Sequence, residues 1–343
     1  DALNDKRNLE QAVKSCKKYG GICETAMSYT VSPVHNEEYF VKLAMQLEKM
    51  GADTICIKDM ANLLLPYDAY SLVKKLKENI SVPIHLHTHN TAGTGDMTNL
   101  MAAQAGVDIV DCALSPLANG TAQPTTGALV ATLAGTERDT GLDLTKLSEV
   151  AAHFRTVAEK LKAEGILDPK VLNVDTKTLI YQVPGGMLSN LMTQLKQMNA
   201  LDRLEEVMVE TPKVRADMGY PPLVTPTSQM VGVQAVTNVL VGERYKKVSK
   251  EVKAYCRGEY GRTPAPIDPE VQKLILGDEQ PITGRYADSL APIVEPTREK
   301  LGDLAKSDED VLSYIAFPNL AEKFFEERKA KEENVCTYSI VEA

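Results

Sequence analysis

A chain of 343 residues with 38 lysines and arginines against 47 acidic residues carries a formal net charge of −9. It holds no dense basic patch interleaved with aromatics, which sets aside nucleic acid and anionic membrane as direct partners. With 43% hydrophobic and 25% charged residues it falls in the ordinary globular range, long enough for one large core and a smaller one. No window approaches the ~18 consecutive apolar residues of a spanning helix, and no signal pattern opens the chain. The cysteines (Cys16, Cys23, Cys56, Cys112, Cys256, Cys336) lack CxxC spacing, so the reading is an acidic metabolic protein with free thiols in a reducing cytoplasm.

The chain runs from Asp1-Ala2-Leu3-Asn4-Asp5 straight into a helical pattern at 8–19, as though it started partway through a unit. An apolar strand over 21–29 follows, then an amphipathic helix over 37–50 and a strand over 54–58. The pattern repeats as helix 67–78, strand 83–89, helix 96–105, strand 107–113 and a closing helix 125–133. Units of about 30 residues with short apolar strands indicate parallel βαβ crossovers. No Gly-x-Gly-x-x-Gly follows the first strand, and chemically active residues collect at the C-terminal ends of successive strands, which favours a (β/α)8 barrel over an open dinucleotide-binding sheet. Four strands make half of a closed barrel, so the expectation is an α/β TIM barrel of which residues 1–140 are the C-terminal half, the remainder preceding Asp1 or coming from a second chain. From about Gly141 strand signals nearly vanish, and residues 141–343 read as a mainly α-helical domain. Its last stretch, 322–333, has the alternating charges of a solvated helix or fraying tail.

Three elements carry chemistry. In the strand Ile84-His85-Leu86-His87-Thr88-His89 the alternate histidines share a face, and two imidazoles so spaced can hold one metal ion; otherwise they are satisfied histidines at a strand end. His85, one step deeper, packs or orients the others. Lys58 ends the strand Thr54-Ile55-Cys56-Ile57-Lys58, where desolvation favours the neutral, nucleophilic amine. It can form a Schiff base, capture carbon dioxide as a metal-binding carbamate, or simply pair with Asp59. The third element is Asn119-Gly120-Thr121-Ala122-Gln123-Pro124, where Gly120 permits a tight turn and Pro124 suits the first turn of a helix. The Thr121 hydroxyl is either a helix cap or a proton shuttle.

Taken with Ile57-Lys58-Asp59-Met60-Ala61 and Gln182-Val183-Pro184-Gly185-Gly186, these elements resemble the carboxyltransferase domain of biotin-dependent enzymes that interconvert pyruvate and oxaloacetate. The stretch from Ala216 through Pro221-Pro222-Leu223-Val224-Thr225-Pro226 to Gln229, with Gly242-Glu243-Arg244-Tyr245 and Gly258-Glu259-Tyr260-Gly261, is similar to the oxaloacetate decarboxylase α subunit and transcarboxylase branch more than to single-chain pyruvate carboxylase. The resemblance implies that Lys58, as a carbamate formed with carbon dioxide, binds a divalent metal with His87 and His89, and that Thr121 passes a proton between biotin and pyruvate. The metal would be zinc, with cobalt or manganese as alternatives. A fourth ligand, an aspartate, and the arginine and glutamine that hold the pyruvate carboxylate would lie before Asp1. No Ala-Met-Lys-Met biotin acceptor occurs in the chain, so biotin would ride on another chain or domain, received at the barrel mouth beside the helical domain. Also implied are a homodimer and a cytoplasmic location, with attachment to membrane decarboxylase subunits left open. Asn62 departs from the family's usual glycine, and Asn90 stands where some members have aspartate. The alternatives are a pyruvate carboxylase or transcarboxylase subunit and, of other classes, a metal-dependent aldol-type lyase of the same barrel superfamily or an inactive assembly fragment.

Overall fold

In the computed structural model, which describes residues 1–333, the chain divides into compact units of residues 1–286 and from 287 onward. The first unit opens with helix α1 (Lys6–Lys18), capped by Asp5, and strand β1 (Glu24–Ser28). Helix α2 (Glu37–Met50) starts where the Asn36 side chain accepts from Tyr39 N, carries Glu37 and Glu38 in its first turn, and stops at Gly51 with φ +110°. Strand β2 (Thr54–Asp59), helix α3 (Pro66–Asn79), strand β3 (Ile84–Thr88), helix α4 (Gly95–Ala105), strand β4 (Ile109–Val110) and helix α5 (Thr126–Leu133) follow. The strands pair in parallel in the order β1-β2-β3-β4.

The register sorts side chains into rows across the strands. Met27, Ile57, Leu86 and Val110 form one row, and Ile55 pairs with Ile84 in the next. This face packs under Phe40, Leu43 and Leu47 of α2 and Leu72 and Leu76 of α3; Met27, Ile55, Ile57, Ile84 and Leu86 are fully buried. Burying such a side chain is worth about 1.5–3 kcal/mol, so this face fixes the register, since a slip of one residue would turn the apolar set outward. The rows on the other face are Ser28–Lys58–His87 and Ala26–Cys56–His85–Ile109. The strand read over 107–113 is narrowed to Ile109–Val110; just before it the Asp108 side chain accepts from Ile84 N, and just beyond it Ala113 adds an isolated bridge to Thr125.

Beyond Leu133 the unit is helical: α6 (Leu144–Ala163), α7 (Lys177–Tyr181), α8 (Gly185–Gln197), α9 (Leu204–Asp217), α10 (Thr227–Val241), α11 (Lys250–Arg257) and α12 (Pro269–Leu276). Helices α8 to α11 share a core that includes Leu191, Val207, Val231 and Tyr255, and Leu3 packs into it. The change from strands to helices near residue 140 therefore falls inside the first compact unit, whose boundary lies at 286. The second unit holds α13 (Val294–Leu301), α14 (Asp308–Ala316) and α15 (Pro318–Glu332) around Leu301, Val311, Tyr314 and Phe325. The charged stretch 322–333 is thus the outer part of a helix anchored by buried Phe325. The cysteines among the described residues are free; Cys336 lies outside them. No helix among the described residues is long and apolar enough to cross a membrane.

Candidate metal centre

Lys58 and His87 are direct partners in the β2–β3 register, so both project from the face turned away from the helices. His87 Nδ1 lies 2.6 Å from Asp111 Oδ2, and His89 Nδ1 lies 2.5 Å from the Thr121 carbonyl oxygen. Both partners are acceptors, so each Nδ1 carries the proton and each Nε2 presents a lone pair. The two Nε2 atoms face one another at 3.3 Å. Lone pairs so opposed repel unless a cation or proton stands between them. Two zinc–nitrogen bonds of about 2.0–2.1 Å at a tetrahedral angle would separate the nitrogens by about 3.3–3.4 Å. The residues present therefore fit a divalent ion. Burial holds the pKa of His89 below its usual value, which keeps its ring available as a ligand.

Lys58 is half-buried and has no carboxylate partner among the described residues. Pairing with Asp59 is ruled out by the pleat: Asp59 turns to the opposite face, is fully buried, and accepts from Leu63 N, Leu64 N and Thr88 Oγ1 at 2.9–3.0 Å. The turn so tied ends at Asn62, whose φ of +55° explains why asparagine can replace glycine there. Asn62 Oδ1 accepts from Ala92 N and Thr94 N, fastening the loop that carries His89. Asn90 is structural too, bonded to Asp96, Asn119 and Gly95 N.

Below this pair lies a charged network that the strand pattern alone did not reveal. His85 Nδ1 is 3.0 Å from Glu24, and its Nε2 is 2.9 Å from Asp111 Oδ1, a close charge contact whose angle falls short of a hydrogen bond. Cys56 first, then Glu24 and Asp111, hold His85 as imidazolium, pushing its pKa up to about 10 against desolvation. Glu24, Cys56 and His85 bring donor atoms within 4.8 Å of one another, a spacing a metal could use. A protonated ring has no lone pair to give, so this trio reads as an ion-pair network and the opposed rings of His87 and His89 as the ligand pair. Burial raises the Asp111 pKa, but the hydrogen bond from His87 and the charge contact with His85 outweigh it and the carboxyl ends below its usual range.

Thr121 is brought to the same place, through its backbone. Its carbonyl holds His89, its N–H donates to Val171 O at 2.8 Å, and its side chain lines a cleft of about 740 Å³ with Thr91, Val171, Gly185 and Leu188. The cap reading is excluded, because α5 begins after Thr125, with Pro124 outside the helix. Gly120, at φ +58°, allows this close approach: a Cβ there would sit 2.1 Å from Val171 O. Asp111 is the site residue that sequence reasoning missed; its position in the strand 107–113 was the only available signal.

Two family models cover most of the chain: HMGL-like over residues 3–153 and a conserved carboxylase domain over 178–341. A pyruvate carboxylase subunit of Methanocaldococcus jannaschii is 53% identical over 94% of this chain and 57% of its own length. The methylmalonyl-CoA carboxyltransferase 5S subunit of Propionibacterium freudenreichii is 43% identical over 96% of this chain and 65% of its own. The solved carboxyl transferase domain of Rhizobium etli pyruvate carboxylase with pyruvate and biocytin superposes with a TM-score of 0.89 at 29% identity, covering 98% of this chain and 58% of that one. The chain thus spans between half and two thirds of the length of these three relatives, and is more similar to the two subunit proteins than to the Rhizobium protein. With a four-stranded parallel sheet, helices on one face and histidines at the strand ends, the chain belongs to the carboxyltransferase-domain family of the biotin-dependent carboxylases.

Proposed function

We propose that this chain moves a carboxyl group between the oxaloacetate/pyruvate pair and biotin borne on a separate carrier chain or domain, as oxaloacetate decarboxylase α subunits do. The observation that carries the reading is the pair of Nε2 atoms 3.3 Å apart, both Nδ1 positions engaged, beside an unpaired lysine. His87, His89 and a carbamylated Lys58 would hold the ion, zinc by the donor set. Forming the carbamate joins the neutral Lys58 nitrogen to the carbon of carbon dioxide, with the displaced proton going to solvent. Bound there, the ion supplies a Lewis acid that stabilises negative charge on a carbonyl oxygen. Asp111 and the Thr121 carbonyl keep the rings aimed. The Thr121 hydroxyl, without a hydrogen-bond partner among the described residues, is free for the proton relay the resemblance assigns it. The homodimer and the cytoplasmic or membrane-peripheral location belong to the same proposal.

A second direction, carboxylation of pyruvate, is favoured by the 53% identity to the Methanocaldococcus pyruvate carboxylase chain. The HMGL-like match keeps the aldol-type lyase as the competing class, and the carboxylase-domain match over 178–341 weighs against it. Metal analysis and intact-mass spectrometry test the reading. We expect about one divalent ion per chain and the added mass of one carbon dioxide on Lys58, with the ion lost in His87→Ala. Metal retained at full occupancy in a His87→Ala/His89→Ala double variant refutes it. Thr121→Ala should keep the metal, since the holding oxygen is backbone; oxaloacetate–biocytin carboxyl exchange in the intact assembly then reports on the hydroxyl.

A further inference from the structure

Away from the histidines, beyond the C-terminal end of β1, Arg215 lies 4% exposed with no carboxylate partner among the described residues. Its bonds go to neutral acceptors: Pro221 O at 2.9 Å, Val31 O at 3.1 Å, Thr30 Oγ1 at 2.7 Å and Gln182 Oε1. One Nη2 hydrogen is left over. Burial takes the guanidinium pKa down to about 10, a sign of an uncompensated charge. Arg215 borders a cavity of about 200 Å³ with Gln182 and Tyr220, and no acidic residue lines it. Neither the Gln182 amide N–H groups nor the Tyr220 hydroxyl has a hydrogen-bond partner among the described residues. Both residues also hold left-handed backbone, φ +56° and +57°, and such strain in large side chains gathers at ligand sites. Nearby His35 is 5% exposed, with its Nε2 unpartnered. The cavity thus offers donors and positive charge with no carboxylate in its lining to balance them.

We propose that the Arg215 cavity is an anion subsite that binds the carboxylate of a small organic acid. Its volume admits only a handful of heavy atoms, and the planar fork of arginine suits a carboxylate. This site needs no metal and does not depend on the transfer reaction proposed above. Thermal unfolding of the whole chain in excess EDTA tests it, with sodium acetate or pyruvate against sodium chloride at equal ionic strength, and inorganic phosphate as a tetrahedral comparison. Acetate and pyruvate should raise the midpoint saturably, by a few °C at about 100 times the dissociation constant. The rise should vanish in Ile180→Glu, which sets a competing carboxylate at the rim of the cavity on a residue 71% exposed and so dispensable for folding. No rise beyond that of chloride, an undiminished rise in Ile180→Glu, or a response to phosphate alone would overturn the proposal and leave Arg215 a staple between loops.

Discussion

Replacing Asp111 by asparagine tests whether the metal pair is held from behind. The carboxylate receives His87 Nδ1–H at 2.6 Å, a charge-assisted bond, and its other oxygen contacts the His85 imidazolium at 2.9 Å. Asparagine keeps an acceptor of the same shape but removes the charge that raises ring basicity and balances His85. Loss of such an outer partner typically weakens metal binding about 10–100-fold, or about 1.4–2.7 kcal/mol. Folding should survive, because the Asp111 side chain is 39% exposed. Chelator competition on purified chain measures the affinity, and unfolding in chelator measures stability separately. An affinity within twofold of the parent would show that Asp111 does not orient His87, and the metal assignment would lose its main structural support.

Gly120→Ala should destabilise the Thr121 loop by about 3 kcal/mol or more, combining left-handed strain with a Cβ 2.1 Å from Val171 O; urea unfolding checks it, and a loss under 1 kcal/mol contradicts the packing. His35 is buried beside Tyr39 and Phe40, within reach of the Arg215 charge, and burial first and that charge second bring its pKa down to about 4. The unfolded chain, with its histidine near 6.5, then binds the proton more readily, so this contribution is present above pH ~6.5 and lost as pH falls towards 4. Urea unfolding should show about 2 kcal/mol less stability at pH 5 than at pH 7, and His35→Phe should flatten that difference.

Local signals were legible where one side chain sets one boundary. Asn36 and Gly51 bracket α2 at the limits read from the sequence, and the alternation of Ile84, Leu86 and Thr88 against His85 and His87 fixes which face carries the imidazoles. What the sequence concealed depends on distant registers. Asp111 meets His85 and His87 only because β4 pairs with β3 at Ile109 and Val110. Thr121 drew attention for its hydroxyl, whereas the fold uses its carbonyl, and a backbone atom leaves no mark in residue identity. The compact-unit boundary at 286 was likewise hidden, because Leu3 packs among helices more than 180 residues away in sequence.

Lys58→Met separates function from scaffolding most sharply. Methionine keeps the unbranched stem and removes the amine. If Lys58 balanced a buried carboxylate, its loss would cost about 3–5 kcal/mol by leaving that charge unpaired. The only adjacent acid, Asp59, is instead satisfied on the opposite face by two backbone N–H groups and the Thr88 hydroxyl. Stability in chelator should therefore stay within about 0.5 kcal/mol of the parent. Metal affinity should fall further than in Asp111→Asn, since a ligand is removed and not merely its support. An amine kept half-buried without a counter-charge, at no benefit to the fold, is best explained by the ion and the carbon dioxide it would bind; a destabilised Lys58→Met that still bound metal normally would contradict this.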